Sequence, residues 1–158
     1  MHIATKSSKL NISAESDTAI IAKKFSNYLK VGDVLFLYGE IGAGKTTFVR
    51  YLVNNFQKKN KIKLSEVTSP TFNIVNEYKV NNLIIQHYDL FRIKNSEEIK
   101  NIGLLENIKK VLTIVEWPDK IKNKPKNAID IKFKYDENFE KRFIEIDGVD
   151  INRLNEII

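Results

Sequence analysis

The sequence predicts an α/β fold, in which helices flank a central sheet of mixed parallel and antiparallel strands. Three observations predict it. Val34-Leu35-Phe36-Leu37-Tyr38 is an unbroken apolar run of strand length, which suits a strand buried on both faces. The run passes through Gly39-Glu40-Ile41-Gly42-Ala43-Gly44-Lys45-Thr46 into a segment with helical apolar spacing. Downstream, strand-like segments follow one another with only short turns between them, so some neighbours pair antiparallel. Together these give a single P-loop NTPase-like domain over residues 1–158. A chain of 158 residues suits one domain, and no repeat, low-complexity tract or Pro/Gly-rich linker divides it.

The elements follow in order. Ser13 to Ser16 can cap a helix over about Glu15–Lys30, with Ile20, Ile21, Phe25, Tyr28 and Leu29 on its apolar face. Gly32-Asp33 turns the chain into the strand at Val34–Tyr38. Gly44–Phe56 reads as a helix, with Phe48, Tyr51, Leu52 and Phe56 on one side. Thr68-Ser69-Pro70-Thr71 breaks the chain before a strand over Phe72–Val80. Asn81-Asn82 makes a turn, because Asn tolerates positive φ, and a second strand runs over Leu83–Asp89. Ser96-Glu97-Glu98 opens a helical region ending near Asn107. Val111–Glu116 is another apolar strand, stopped by Trp117-Pro118. Asn127–Tyr135 and Arg142–Asp147 form an antiparallel pair, and Val149–Ile158 a terminal helix or tail.

Composition excludes several classes. There is no cysteine, so no disulfide framework or Cys-based zinc site is possible, and His2 and His87 are far apart in sequence. No apolar leader or run of membrane-spanning length occurs, which reads as a soluble, cytoplasmic chain. Net charge is +6, and Lys58, Lys59, Lys61 and Lys63 cluster, yet only Arg50, Arg92, Arg142 and Arg153 are arginine. A Lys-, Asn- and Ile-rich mixture of this kind follows from coding bias alone, so charge does not imply nucleic-acid binding.

Gly39 to Thr46 matches G-x-x-x-x-G-K-[ST] at every fixed position, between a strand and a helix. Chance would produce that coincidence in fewer than roughly one in a hundred chains this long. Glycines let backbone N–H groups turn inward around phosphates where a Cβ would collide. The helix N-terminus adds its dipole and free N–H groups. Lys45 places a point charge on the β- and γ-phosphates, Thr46 offers a hydroxyl to Mg²⁺, and Thr47 lies near the α-phosphate. The expected ligand is ATP with Mg²⁺.

Such a site needs an acid from a neighbouring strand. Two carboxylates end apolar runs, Asp89 in LIIQHYD and Glu116 in VLTIVE. Glu116 has the more completely apolar strand behind it and is the expected metal ligand. Asp89 either reaches the ion through water or orients the attacking water. His87 shares the strand face of Asp89, and is either a core histidine or a hydrogen-bonding group near the phosphates. The hydroxyls of Thr68-Ser69-Pro70-Thr71 lie where a nucleotide switch keeps a mobile segment, though a plain turn explains them as well.

LYGEIGAGKTTFVR, TSPTFNIVNEY, HYDLFRI and VEWPDK, in this order, resemble the TsaE (YjeE) family, the small ATPase of bacterial tRNA threonylcarbamoyladenosine synthesis. The likeness spans about Asp17 to Ile146. It implies an ATPase that acts with a TsaD–TsaB pair, which transfers the threonylcarbamoyl group to the adenosine beside the anticodon in tRNAs reading ANN codons. It also implies that this subunit hydrolyses ATP without transferring the group itself, meets tRNA only through the complex, and is monomeric alone. Carried onto this sequence, Gly39, Glu40, Ile41, Gly42, Ala43, Gly44, Lys45, Thr46 and Thr47 surround the phosphates, and Thr46 and Glu116 hold Mg²⁺. Lys45, Asp89 and Glu116 carry the chemistry, Thr71 lies in the switch-like segment, and Trp117 sits beside the nucleotide. Glu15–Thr18 and Lys141-Arg142 approach the adenine. Glu40 and Phe91 depart from the Asp and Tyr common in the family.

Two other classes share the phosphate loop. A small-molecule or nucleotide kinase would need several arginines about the transferred group, against four scattered ones here. A GTPase-like switch would carry N-K-x-D, and Asn123-Lys124-Pro125-Lys126 lacks the acid.

Overall fold

A computed structural model describes residues 8–149 of the chain. Its strands are β1 (Ser8–Asn11), β2 (Val34–Tyr38), β3 (Val75–Val80), β4 (Leu83–Asp89), β5 (Leu112–Glu116), β6 (Ala128–Tyr135) and β7 (Arg142–Asp147). The helices are α1 (Glu15–Tyr28), α2 (Lys45–Lys59) and α3 (Ser96–Asn101). The strands form one sheet in the order β1-β7-β6-β2-β5-β4-β3. β2 pairs in parallel with β5 and β6, and β5 in parallel with β4, while β3, β7 and β1 join antiparallel at the edges. The mixed sheet is the predicted one.

Both faces of the central strands are covered, which explains their unbroken apolar sequences. α1 and α2 lie on one face, where Phe25 and Phe48 meet edge-to-face at 5.5 Å and Phe48 meets Phe133 at 6.0 Å. On the other face, Val34, Phe36, Tyr88 and Val115 pack under Ile99 of α3 and Leu104. Parallel strands therefore end together, and the loops after β2, β4 and β5 share one rim. In open α/β sheets that rim is where ligands bind.

Several boundaries differ from expectation. Ser13 does not cap α1: Ala14 occupies the cap position, and the Ser13 hydroxyl instead accepts from the Arg142 N–H at 3.1 Å. Tertiary pairing with β7 wins the hydroxyl. Of the apolar face expected for α1, Ile21, Phe25 and Leu29 are buried and Tyr28 packs against the core, but Ile20 is 56% exposed, while Thr18, Ala22 and Ser26 are buried as well. On α2, Val49 and Val53 join Phe48, Leu52 and Phe56 inside, and Tyr51 turns its hydroxyl to Glu15. β3 starts at Val75, not Phe72, because Ile74 takes φ 68° and its N–H bonds Pro70 O at 2.8 Å, curling the chain. Phe72 is left 83% exposed.

α3 begins as predicted, with the Asn95 side chain accepting from the Glu97 and Glu98 N–H groups. It ends at Asn101 because Gly103 and Leu105 both adopt positive φ, which no helix continues through. Asn81 turns at φ 53° as expected. β1 was not expected, since Ser-Lys-Leu-Asn carries no strand pattern, and only its pairing with β7 makes it one. Beyond Val149, the predicted terminal element lies outside the described residues. Among the described residues no helix is long and apolar enough to cross a membrane.

Candidate functional site

β2 ends at Tyr38, and the chain turns through Gly39–Gly44 before α2 begins at Lys45. Gly39 has φ 146°, and a Cβ there would lie 2.8 Å from Phe133 O. Only glycine fits that crossing. Replacing it in Gly39→Ala is expected to cost about 3 kcal/mol of stability, read by urea unfolding. A loss below about 0.5 kcal/mol would mean that the turn tolerates a side chain.

Gly44, at φ 112°, occupies the cap position of α2 without a capping side chain, and the first turn contains no acid. The opening N–H groups and the positive end of the helix dipole are therefore available to an anion. Lys45 is 5% exposed and donates from Nζ to the carbonyl oxygens of Gly39 and, at 2.9 Å, Glu40. Its ammonium also lies 4.3 Å from the centre of the Trp117 ring. Burial pulls the Lys45 pKa below the ordinary lysine value, while the nearby Glu116 and Asp89 carboxylates oppose that pull. Trp117 adopts φ 57°, which swings the chain out of β5 directly after Glu116.

Asp89 and Glu116 are register partners at the ends of β4 and β5. Glu116 is 2% exposed and accepts from the Thr46 hydroxyl at 3.0 Å on one oxygen. Its other oxygen lies 2.8 Å from His87 Nε2. His87 is fully buried, and its Nδ1 has no partner among the described residues. A buried, unmet N–H costs more than a buried lone pair, so the ring proton belongs on Nε2, donated to Glu116. His87 is thus a core histidine bonded to the acid that faces the loop. Asp89 accepts from the Ser69 hydroxyl and, at 2.9 Å, from the Phe91 N–H.

A cavity of about 380 Å³ lies over these groups. Of the residues singled out in the sequence, Ile41, Gly42, Gly44, Lys45, Thr46, Thr47, Thr71, Asp89, Glu116, Trp117 and Arg142 line it. Gly39, Glu40 and Ala43 do not. Ala43 is buried in the core, and Gly39 and Glu40 border a second hollow of about 360 Å³ with Phe133, Tyr135 and Phe139. Glu15 is engaged with Arg50 at 2.9 Å and Tyr51 at 2.7 Å, and neither it nor Thr18 lines the cavity. Arg92 lies over the Phe72 ring at 4.5 Å and is likewise outside the lining. Lys124, from the segment tested for a guanine motif, bonds Tyr38 and Asp130.

Two lining residues were not singled out. Ser69 was legible only as one hydroxyl in a breaker, and Phe91 only as a departure from the family pattern. The Phe91 ring lies 5.0 Å from Trp117, so the aromatic wall of the cavity joins the ends of β4 and β5.

The wall combines two cations, two carboxylates and four hydroxyls (Thr46, Thr47, Ser69, Thr71). That set can neutralise a polyanion and position a hard cation beside it. Among the described residues no cluster of three or more His, Asp or Glu side chains can hold a metal alone. A cation held by Thr46 and Glu116 would therefore need further oxygen ligands from water or from a bound anion, as Mg²⁺ commonly does.

The family model described as "Threonylcarbamoyl adenosine biosynthesis protein TsaE" matches residues 12–144. A Rickettsia typhi protein of that description, a tRNA threonylcarbamoyladenosine biosynthesis protein TsaE, is 40% identical over 112 residues, 71% of this chain and 75% of the relative. A Rickettsia felis protein of the same name is 39% identical over 114 residues, 72% of this chain and 64% of the longer relative. The crystal structure of Bacillus subtilis YdiB superposes with a TM-score of 0.72 at 28% identity, covering 99% of this chain and 94% of that one.

Proposed function

The chain belongs to the TsaE family of threonylcarbamoyl adenosine biosynthesis proteins, and on that premise we propose that it is the ATP-binding, slowly hydrolysing subunit of the tRNA-modifying machinery. The observation that carries this reading is the Thr46–Glu116 contact of 3.0 Å beside a buried Lys45. A strand-end acid and a loop hydroxyl meet there at the start of α2, which is the arrangement that ATP with Mg²⁺ requires.

ATP and Mg²⁺ fit the residues present. Thr46 and Glu116 would hold the ion, whose charge neutralises phosphate oxygens when it is bound. Lys45 rests on two backbone carbonyls, Gly39 O and Glu40 O, and exchanges these neutral acceptors for phosphate oxygens. The open N-terminus of α2 receives the same phosphates. Ser69 and the Phe91 N–H keep Asp89 in one orientation at the cavity wall, from which it would hold a water, either the nucleophile or one belonging to the bound ion. Arg142 and Trp117 line the wall available to the remainder of the nucleotide.

Hydrolysis is slow in isolation because Arg142 is the sole lining arginine among the described residues and its guanidinium is tied to Ser13 O at 3.4 Å. Among the described residues no other arginine lines the cavity to stabilise charge on a transferred phosphoryl group. A TsaD–TsaB-like complex is the partner, tRNA is reached through that complex, and the monomer works with them in the cytoplasm. Phosphate release from ATP, with and without TsaD–TsaB, tests this. Turnover is expected to rise at least tenfold with the complex, and tRNA modification to require the chain. Turnover indifferent to the complex, together with modification that proceeds without the chain, would remove the accessory role.

A further inference from the structure

The phosphate loop is anchored from outside its own strand and helix. Gly42, at φ 80°, is free to rotate its following peptide plane, since glycine occupies both halves of φ space at little cost. Both ends of that plane are nevertheless tied. The Ala43 N–H donates to Glu40 O at 3.1 Å, and the Gly42 carbonyl accepts from the Tyr135 hydroxyl at 2.9 Å. Tyr135 ends β6, and the same strand presses Phe133 against Gly39. Its register partner across the hairpin is Arg142, whose guanidinium approaches Gly44.

The hairpin is itself braced. Asp136 Oδ1 accepts from the Glu140 N–H at 2.8 Å and the Lys141 N–H at 3.0 Å, and the Phe139 ring lies tilted against Tyr135, with centroids 5.4 Å apart. An anion site needs its carbonyls turned outward, because an inward carbonyl dipole repels phosphate oxygens. Tyr135 supplies the outside donor that keeps one of them there.

We propose that Tyr135 is a positioning residue: its hydroxyl holds the Gly42 carbonyl away from the cavity and so keeps the loop in its anion-receptive shape. The proposal rests on the phosphate-binding reading above. It assigns the β6–β7 hairpin a part in nucleotide affinity that neither the loop motif nor the strand-end acids contain.

Tyr135→Phe removes one oxygen and keeps the ring against Phe139. Calorimetry is expected to show the dissociation constants for Mg²⁺–ATP and for inorganic tripolyphosphate rising together, by about fivefold. Turnover at saturating ATP should stay within about twofold, so the effect falls on KM and not on kcat. Without nucleotide, amide hydrogen exchange at Ala43 and Gly44 should quicken while exchange in β2 and β5 stays unchanged. Unchanged loop exchange overturns the proposal even if ATP binds, as does a uniform quickening across the sheet, which would make Tyr135 a stability residue. If the wild-type chain binds neither ATP nor tripolyphosphate, the phosphate reading fails. Faster loop exchange in the variant would then still support the anchoring of Gly42, and unchanged exchange would still overturn it.

Discussion

Lys45→Ala is expected to weaken Mg²⁺–ATP binding by about 10–100-fold and to lower turnover by about 100–1000-fold. Lys45 is the cation buried within the loop itself, at 5% exposure. Among the described residues it meets no acid within salt-bridge distance, only two carbonyls and the Trp117 ring, so its charge is held in reserve for a ligand. Because burial already lowers its pKa, the site is set up to gain when a polyanion arrives: phosphate oxygens replace neutral acceptors around a poorly solvated ammonium. Alanine removes that gain and leaves the Gly39 and Glu40 carbonyls without the Lys45 donor. The folded state should not suffer, since a desolvated cation is relieved at the same time, and the melting temperature without nucleotide is expected to hold or rise. Calorimetry and phosphate release separate the two effects. Retention of wild-type affinity in a folded Lys45→Ala protein would end the phosphate-loop reading.

The second large effect concerns Glu116. In Glu116→Gln the shape is kept, and the amide oxygen can accept from only one of the two sides that the carboxylate now serves, Thr46 or His87. Affinity for ATP measured in EDTA is expected to stay near wild type. The tightening produced by Mg²⁺ should disappear, and turnover should fall by about 100–1000-fold. Glu116→Ala adds a folding cost of about 2–4 kcal/mol, because it strands the buried His87 N–H and opens a cavity at the end of β5. Comparing the two variants by urea unfolding and by Mg²⁺ titration of ATP binding separates charge from packing. A Glu116→Gln protein that still responds to Mg²⁺ as wild type does would move the metal site elsewhere. Both substitutions are further expected to abolish tRNA modification in the presence of TsaD–TsaB.

The strands were legible in proportion to how far their sequences report burial. Val34–Tyr38 and Leu83–Asp89 were bounded to the residue, since apolar runs ended by Gly39 or by an acid admit few other readings. β1 was not, because Ser-Lys-Leu-Asn owes its extended form to β7 and not to its own side chains. The error at Phe72 has the same origin. A β-prone aromatic follows Pro70, but Ile74 takes the left-handed conformation where the loop returns to Asp89, and its carbonyl accepts from the Asp89 N–H at 2.9 Å. On α1, the expected helix was present, yet its buried face was set by where α2 lies, which leaves Ile20 in solvent.

By itself, the sequence determined the α/β class, the phosphate-loop motif and the two acids at strand ends, because each is written in contiguous residues whose spacing has one economical backbone solution. Only the tertiary structure decided that Thr46 and His87 share Glu116, that Ser69 holds Asp89, and that Tyr135 reaches Gly42. These are contacts across 20 to 93 residues of chain, and they arise where parallel strands end side by side. Local pattern encodes which face of an element is apolar. It does not encode which polar side chain from a distant strand will meet a given donor, since that depends on the order in which the strands assemble into the sheet.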